Sequence, residues 1–417
     1  MGHHITTLAD LITHSTAVFA DNPLFGERGG DGDWDWTSYG EFGETVDKAR
    51  GGLAHLGVTK GDRVAIISDN RIEWAVGAYA TYGLGAAWVP MYEAQTQKDW
   101  KFILADCGAK VLFAASDGIR AQIDEIMDDL PSLEKIVVIV DPAGGDAMDY
   151  TELLAQGHEH PAPVAVIDEQ DLAGLIYTSG TTGNPKGVML SHRNFASNVR
   201  ALGEIFPLEQ DDRSASFLPW AHSFGQTIEV HYLISQGCST GLTSAKTLTR
   251  DMPEIKPTIL VSVPTVFNKV YDGLQKMMDA EGGVKKTMFD AAVANARKRE
   301  QMRKRGKRSR WVDLQNDLFD KVVFSKVREA FGGRLKWAFS GGAAISTEVA
   351  EFISAVGITV YEGYGLTETS PVVTANIQSH RRIGSVGRAI PEVRVEIDTD
   401  VTGDAEIGEI VVHGPNV

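Results

Sequence analysis

Short apolar runs alternate with amphipathic stretches through the first 140 residues. Arg63–Ile67, 87–89, 110–114 and Lys135–Val140 are brief and rich in Val, Ile and Ala, a pattern that predicts buried strands. Between them, 71–82, 96–106 and 120–129 carry apolar residues at helical spacing, with Asn70 as the expected N-cap of the first. Such alternation predicts a largely parallel α/β sheet. The stretch 141–163, with its Gly, His and Pro, reads as a connection holding one short helix. Further on, Ser191 is placed to cap a helix over 192–205, and 258–263, 335–339 and 358–361 read as strands, with a helix over 265–278. After Ser370 the character changes: 393–397 and Glu409–His413 alternate with no long helix between them, as antiparallel strands do. The expected fold is α/β: two packed subdomains with largely parallel sheets, 1–190 and 191–375, and a smaller β-rich subdomain, 376–417.

Against that background the segment 177–187, Tyr-Thr-Ser-Gly-Thr-Thr-Gly-Asn-Pro-Lys-Gly, stands out, following directly on the apolar run 172–176. Gly180, Gly183 and Gly187 let the backbone take up positive φ and approach a ligand closely. Successive N–H groups can then cradle an anion. Thr178, Ser179, Thr181 and Thr182 add hydroxyls and Lys186 adds a point charge, a set suited to a polyphosphate. The spacing of Gly180, Gly183 and Lys186 is not that of the Gly-x4-Gly-Lys-Ser/Thr loop, so a kinase- or GTPase-type nucleotide fold is not implied.

Three more clusters follow predicted strands or aromatic runs. In 361–369, Tyr-Glu-Gly-Tyr-Gly-Leu-Thr-Glu-Thr, Glu368 is a hard carboxylate suited to Mg²⁺ and Tyr364 offers a flat face for a purine. In 340–344 the sequence is Ser-Gly-Gly-Ala-Ala. In 217–225, Phe-Leu-Pro-Trp-Ala-His-Ser-Phe-Gly, His222 stands among aromatics.

These four segments resemble the motifs of the adenylate-forming enzymes: acyl-CoA synthetases, peptide-synthetase adenylation domains and beetle luciferases. The phosphate loop is close to the family's Tyr-Thr-Ser-Gly-Thr-Thr-Gly-x-Pro-Lys-Gly, and 363–368 to its Gly-Tyr-Gly-x-Thr-Glu. Ala344 replaces the proline usual in Ser-Gly-Gly-Ala-Pro. The similarity continues through 384–388 and 408–415, so it runs from about Trp36 to the last residue. It implies ATP bound by Thr178, Ser179, Gly180, Thr181, Thr182, Gly183, Lys186, Gly341, Gly342, Ala343, Glu362, Gly363, Tyr364, Gly365 and Thr367, with Mg²⁺ on Thr178 and Glu368. Lys186, His222, Thr181 and Glu368 are the implied catalytic residues, His222 lying near the substrate carboxylate. The implied reaction joins a carboxylate to AMP and then passes the acyl group to a thiol, coenzyme A being the expected second substrate. The long helical segment 267–330 and Pro90 to Thr96 are more like long-chain acyl-CoA synthetases than benzoate or acetate enzymes, so a medium- to long-chain fatty acid is expected. Alternatives are a fatty acyl-AMP ligase that loads a carrier protein, a luciferase-like oxidation of an adenylate, and an ATP-binding fragment without turnover. In the family a ribose-binding aspartate, a hinge and a small lysine-bearing domain come next, so this chain is expected to be the large N-terminal domain, weakly active or inactive by itself.

Composition narrows the field further. The net charge of −16 argues against a general nucleic-acid binder. Two cysteines, Cys107 and Cys238, exclude a disulfide framework and suit a reducing cytoplasm. No basic and apolar leader pattern opens the chain. The uncharged stretch 74–92, long enough to raise the question of a membrane span, is rich in Gly, Ala and Tyr and reads as a buried helix, a glycine turn and a strand. From Arg297 to Arg310 the chain carries a local charge of +8, leaving −24 elsewhere. That run reads as a solvated helical hairpin hinged at Gly306, or as a peripheral contact with anionic lipid or with the phosphates of coenzyme A.

Overall fold

The computed structural model describes residues 5–140, 147–179, 183–404 and 407–417, the side chains of 303 and 304 excepted. In chain order its strands are β1 (Pro23–Arg28), β2 (Trp34–Ser38), β3 (Arg63–Ile67), β4 (Ala87–Met91), β5 (Val111–Ser116), β6 (Lys135–Val140), β7 (Met148–Asp149), β8 (Leu172–Thr178) and β9 (Lys186–Ser191). There follow β10 (Arg213–Ser216), β11 (Ser239–Leu242), β12 (Ile259–Ser262), β13 (Trp337–Ser340), β14 (Thr359–Gly365), β15 (Val372–Ala375), β16 (Arg388–Ala389), β17 (Arg394–Asp398) and β18 (Glu409–His413).

Two mixed sheets dominate. One has seven strands in the order β7-β6-β5-β3-β4-β8-β9, the other nine in the order β16-β15-β14-β13-β12-β10-β11-β1-β2. Both are parallel at their centres and antiparallel at one or both edges. The strand predictions over 63–67 and 135–140 match element for element. Their unbroken apolar runs have a simple cause: both faces of the central strands are covered. Val64 and Ile66 enter one core, Ala65 and Ile67 another, and Val111 and Phe113 part from Leu112 and Ala114 in the same way. Two stretches join the nine-stranded sheet from a distance. β1 and β2, early in the chain, pair with it through β11, and β16 adds to its far edge. The antiparallel pair expected in the C-terminal segment is β17–β18.

Asn70 does not cap the helix that follows. The helix is Ile72–Gly83, its N-cap is Arg71, and no side chain caps it. The Asn70 amide is committed to the 216–220 loop of the other sheet, a tertiary demand that outweighs the local one. The helix expected over 120–129 is Asp117–Asp124, followed by a separate 3₁₀ turn, Met127–Asp129. By contrast Thr96 and Ser191 do cap Gln97–Cys107 and His192–Ile205 through reciprocal bonds with Asp99 and Asn194.

From Trp74 to Gly83 every residue of the helix Ile72–Gly83 is buried, so the uncharged stretch is interior. Among the described residues no helix is long and apolar enough to cross a membrane. The largest core combines residues of both sheets with this helix; at its centre Trp74 packs edge-on to Trp88 at 5.5 Å and to Trp220 at 5.6 Å. A second core lies under the helical segment, where Gly283–Lys304 and Arg310–Phe319 form the expected hairpin with Gly306 at φ +66°.

The helices Tyr39–His55 and Tyr150–Glu159 cross on glycine. A Cβ at 157 would lie 1.7 Å from the Lys48 carbonyl oxygen, and one at 52 would lie 2.3 Å from that of Leu153. Backbone cannot yield as a flexible side chain would, so Gly157→Ala is expected to lower the unfolding free energy by about 1–3 kcal/mol. A urea titration checks this, and an unchanged midpoint would contradict the close crossing.

Candidate active site

The two ends of the expected phosphate segment lie on paired strands. β8 and β9 are antiparallel, and Thr178 pairs with Lys186. Tyr177 lies against Gly187, where a Cβ would come within 3.0 Å of the ring, and its hydroxyl donates to Asp106 at 2.6 Å. Both contacts pin the base of the hairpin, leaving Ser179, Gly183 and Lys186 exposed. Gly180, Thr181 and Thr182 lie outside the described residues.

A cavity of about 390 Å³ brings the hairpin's end together with the other motifs. Thr178, Ser179, His222, Gly341, Gly342 and the stretch 362–368 all line it. Lys186 stands beside it, opposite Thr178, and Ala343 is exposed next to Gly342; neither lines the wall. Glycines set its shape. A Cβ at 365 would fall 1.7 Å from the Pro371 carbonyl, and one at 341 would meet the Phe224 ring at 3.0 Å.

The polar groups divide into committed and free. Glu362 is committed: its carboxylate accepts from the Gly384 N–H at 3.1 Å and its carbonyl from the Asn376 N–H at 2.9 Å. Desolvation raises its pKa. Buried Thr367 shares a hydrogen bond of 3.3 Å with Ser223. Glu368 is exposed, and its carboxylate has no hydrogen-bond or ion-pair partner among the described residues. His222 accepts the Phe224 N–H at Nδ1, at 3.2 Å, which leaves Nε2 to carry the proton of the neutral ring. Its ring has solvent access, yet enough protein surrounds it for desolvation to lower its pKa, favouring that neutral form. Among the described residues no three His, Cys, Asp or Glu side chains converge on a metal position. The donors present, a hydroxyl at Thr178 and one free carboxylate at Glu368, fit Mg²⁺, which fills its remaining positions with phosphate oxygens and water.

Two features of the site had no motif to announce them. One is an apolar lobe of the cavity, walled by Leu202, Phe206, Ile228, Tyr232, Phe339 and Tyr361. The Phe206 ring centre lies 4.9 Å from that of Phe339 and 5.1 Å from that of Tyr361. The only local signal was the helical spacing of Leu202 and Phe206. The other is the support beneath His222. Asn70 Nδ2 donates to Ser216 Oγ at 3.1 Å and to the Leu218 carbonyl at 2.7 Å, while its Oδ1 accepts the Trp220 N–H at 2.8 Å. Trp220 Nε1 in turn donates to Ser216 Oγ at 3.0 Å and to Glu229 at 3.2 Å. Glu229 is fully buried on the π-helical turn Gln226–Tyr232, hydrogen-bonded also to Ser214 and Ser216. Turns of this kind concentrate at functional sites.

The family model for AMP-binding enzymes matches residues 13–417, and the chain belongs to that family. It is 34% identical to the long-chain-fatty-acid–CoA ligase FadD15 of Mycobacterium bovis, over 99% of this chain and 68% of that protein. It is 30% identical to the peroxisomal long chain acyl-CoA synthetase 6 of Arabidopsis thaliana, over 99% of this chain and 60% of that one. Among solved structures, the long-chain-fatty-acid-CoA ligase FadD1 of Archaeoglobus fulgidus superposes with a TM-score of 0.75 at 21% identity, covering all of this chain and 76% of its own. The N-terminal domain of FACL13 from Mycobacterium tuberculosis gives 0.71 at 20% identity, over 99% of this chain and 90% of its own. The expected adenylate-forming fold is thus present.

Burial raises the Glu229 pKa to about 8, against 4.5 for a free side chain. In the folded protein it stays protonated at neutral pH, whereas in the unfolded chain it ionises. Its contribution to stability is complete below pH 4.5 and is lost as pH rises to about 8. Glu229→Gln keeps the buried donors and acceptors uncharged, so the wild-type-minus-variant stability is expected to fall across that window. Urea midpoints at several pH values measure it, and a difference independent of pH would show that Glu229 is ionised in the fold.

Proposed function

We propose that the chain is the adenylation domain of an AMP-forming long-chain fatty acid–CoA ligase. The observation that carries this is the single cavity in which the phosphate hairpin, the 362–368 loop and His222 share walls with an apolar lobe. The polar end suits a nucleotide and the lobe suits an acyl chain. In the first step a fatty-acid carboxylate oxygen attacks the α-phosphorus of ATP, and the bond to pyrophosphate breaks. In the second the thiol of coenzyme A attacks the acyl carbon, loses its proton, and expels AMP.

Backbone N–H groups of the hairpin, Thr181, Thr182 and Lys186 would meet the charge that builds on the phosphate oxygens. Preorganised donors of this kind are each worth about 3–4 kcal/mol of transition-state stabilisation. Thr178 and Glu368 would hold Mg²⁺, which neutralises phosphate charge when bound. Tyr364 would stack on the adenine, between Gly363 and Gly365, which allow close approach. His222, with Nε2–H directed by its bond to the Phe224 N–H, would orient the carboxylate. The proposal includes a peripheral contact of the 297–310 segment with anionic lipid.

Pyrophosphate release with a fatty acid, ATP and Mg²⁺ tests the reading. Lys186→Ala and Glu368→Ala are each expected to lower the rate by about 100- to 1,000-fold, with ATP binding weakened and the fold intact. Rates equal to wild type in both would overturn the site. With the family's lysine-bearing domain present, the rate is expected to climb from short to long acyl chains, and thioester should form on free coenzyme A. Transfer only to a carrier protein would instead identify an acyl-AMP ligase. ATP bound with no pyrophosphate released would leave a nucleotide-binding domain.

A further inference from the structure

The helical segment exposes an apolar ridge where a helix on an ordinary surface would be polar. Trp311 is 66% exposed, Leu314 62%, Leu318 61% and Val322 41%. They recur every three or four residues along Arg310–Phe319 and the π-helical turn Asp320–Phe324, so they form one stripe. The ridge is not unfinished core, because the other side of the same segment already buries Val312 and Phe324 in the second core.

A basic rim surrounds it. Arg305, Lys307, Arg308 and Arg310 precede the ridge and Lys321 and Lys326 accompany it, all exposed and without a carboxylate partner among the described residues. Nearby acids are largely neutralised: Asp313 meets Arg299 at 2.9 Å and Asp320 meets Arg328 at 2.7 Å. Asp317 and Glu329 are the exposed acids left on the segment.

We propose that this ridge inserts at the interface of an anionic lipid bilayer, with the rim seated on the head groups. The inference rests on the lipid contact of 297–310 proposed above and adds penetration by apolar side chains. A bilayer offers both chemistries together: acyl chains for Leu and Val, the interfacial layer for Trp, and negative charge for Lys and Arg. With −24 on the remainder of the chain, the charge distribution favours turning this segment toward such a surface. A two-fold contact between copies through the ridge would bring one basic rim against the other, which disfavours self-association there.

Co-sedimentation of the full chain with phosphatidylcholine vesicles, with and without phosphatidylglycerol, tests the inference. Binding is expected to rise with phosphatidylglycerol. Lys307→Gln with Arg308→Gln should weaken it by about fivefold per charge removed. Leu314→Gln with Leu318→Gln, which leaves the charge unchanged, should weaken it about tenfold or more at an unchanged thermal midpoint, both positions being exposed. A blue shift in the fluorescence difference between wild type and Trp311→Phe on adding vesicles would report insertion. Ridge variants that bind as tightly as wild type would overturn penetration and leave a purely electrostatic contact. No binding to anionic vesicles would overturn both, as would self-association that the ridge variants abolish in the absence of vesicle binding. ATP binding, measured on the same samples, separates any of these failures from a failure of the ligase reading.

Discussion

The burial of the helix Ile72–Gly83 from Trp74 onward is the constraint on which the site depends. A helix with no solvent-facing side over that stretch turns its polar side chains to other protein groups. The hydroxyl of Tyr79 donates to the Val230 carbonyl at 2.8 Å, and that of Tyr82 accepts from Gln226 at 2.9 Å. Asn70, just before the helix, reaches Ser216, Leu218 and Trp220. Each partner belongs to the other sheet, to the 217–222 loop that leaves it, or to the π-helical turn that follows. The bonds therefore join two halves of the molecule that lie about 150 residues apart in the chain.

That connection shapes the cavity. The π-helical turn points Ile228 and Tyr232 into the apolar lobe, while Glu229 turns inward to hold Trp220 and, through the 216–222 loop, the position of His222. One short element thus sets both ends of the pocket. A carboxyl group kept neutral by burial is well suited to this task, since it accepts from Trp220 and the serines without placing an uncompensated charge beneath the reacting groups.

Charge is segregated in a matching way. The body of the chain is strongly acidic, and its densest run of positive charge lies on one helical segment that packs through Val312, Phe324 and Phe289 and leaves its outer side apolar and basic. A catalytic domain for a water-insoluble acid benefits from a surface that can meet lipid while its nucleotide site stays in water.

Much of this was legible in the sequence. The strands over 63–67 and 135–140, the cap at Ser191 and the Gly-rich segments all rest on interactions within a few residues, which local order determines. The chemistry of the nucleotide end was legible for the same reason, since the side chains of each loop are contiguous. Asn70 shows the limit: its local role as a cap gave way to partners near residue 220, which no local pattern reveals. The apolar lobe, the buried Glu229 and the pairing of β1 with β11 likewise depend on contacts between distant segments. By itself the sequence determined which groups this protein can offer a polyphosphate. Only the tertiary structure decided that they share one cavity, because burying the helix Ile72–Gly83 is what brings the two sheets together.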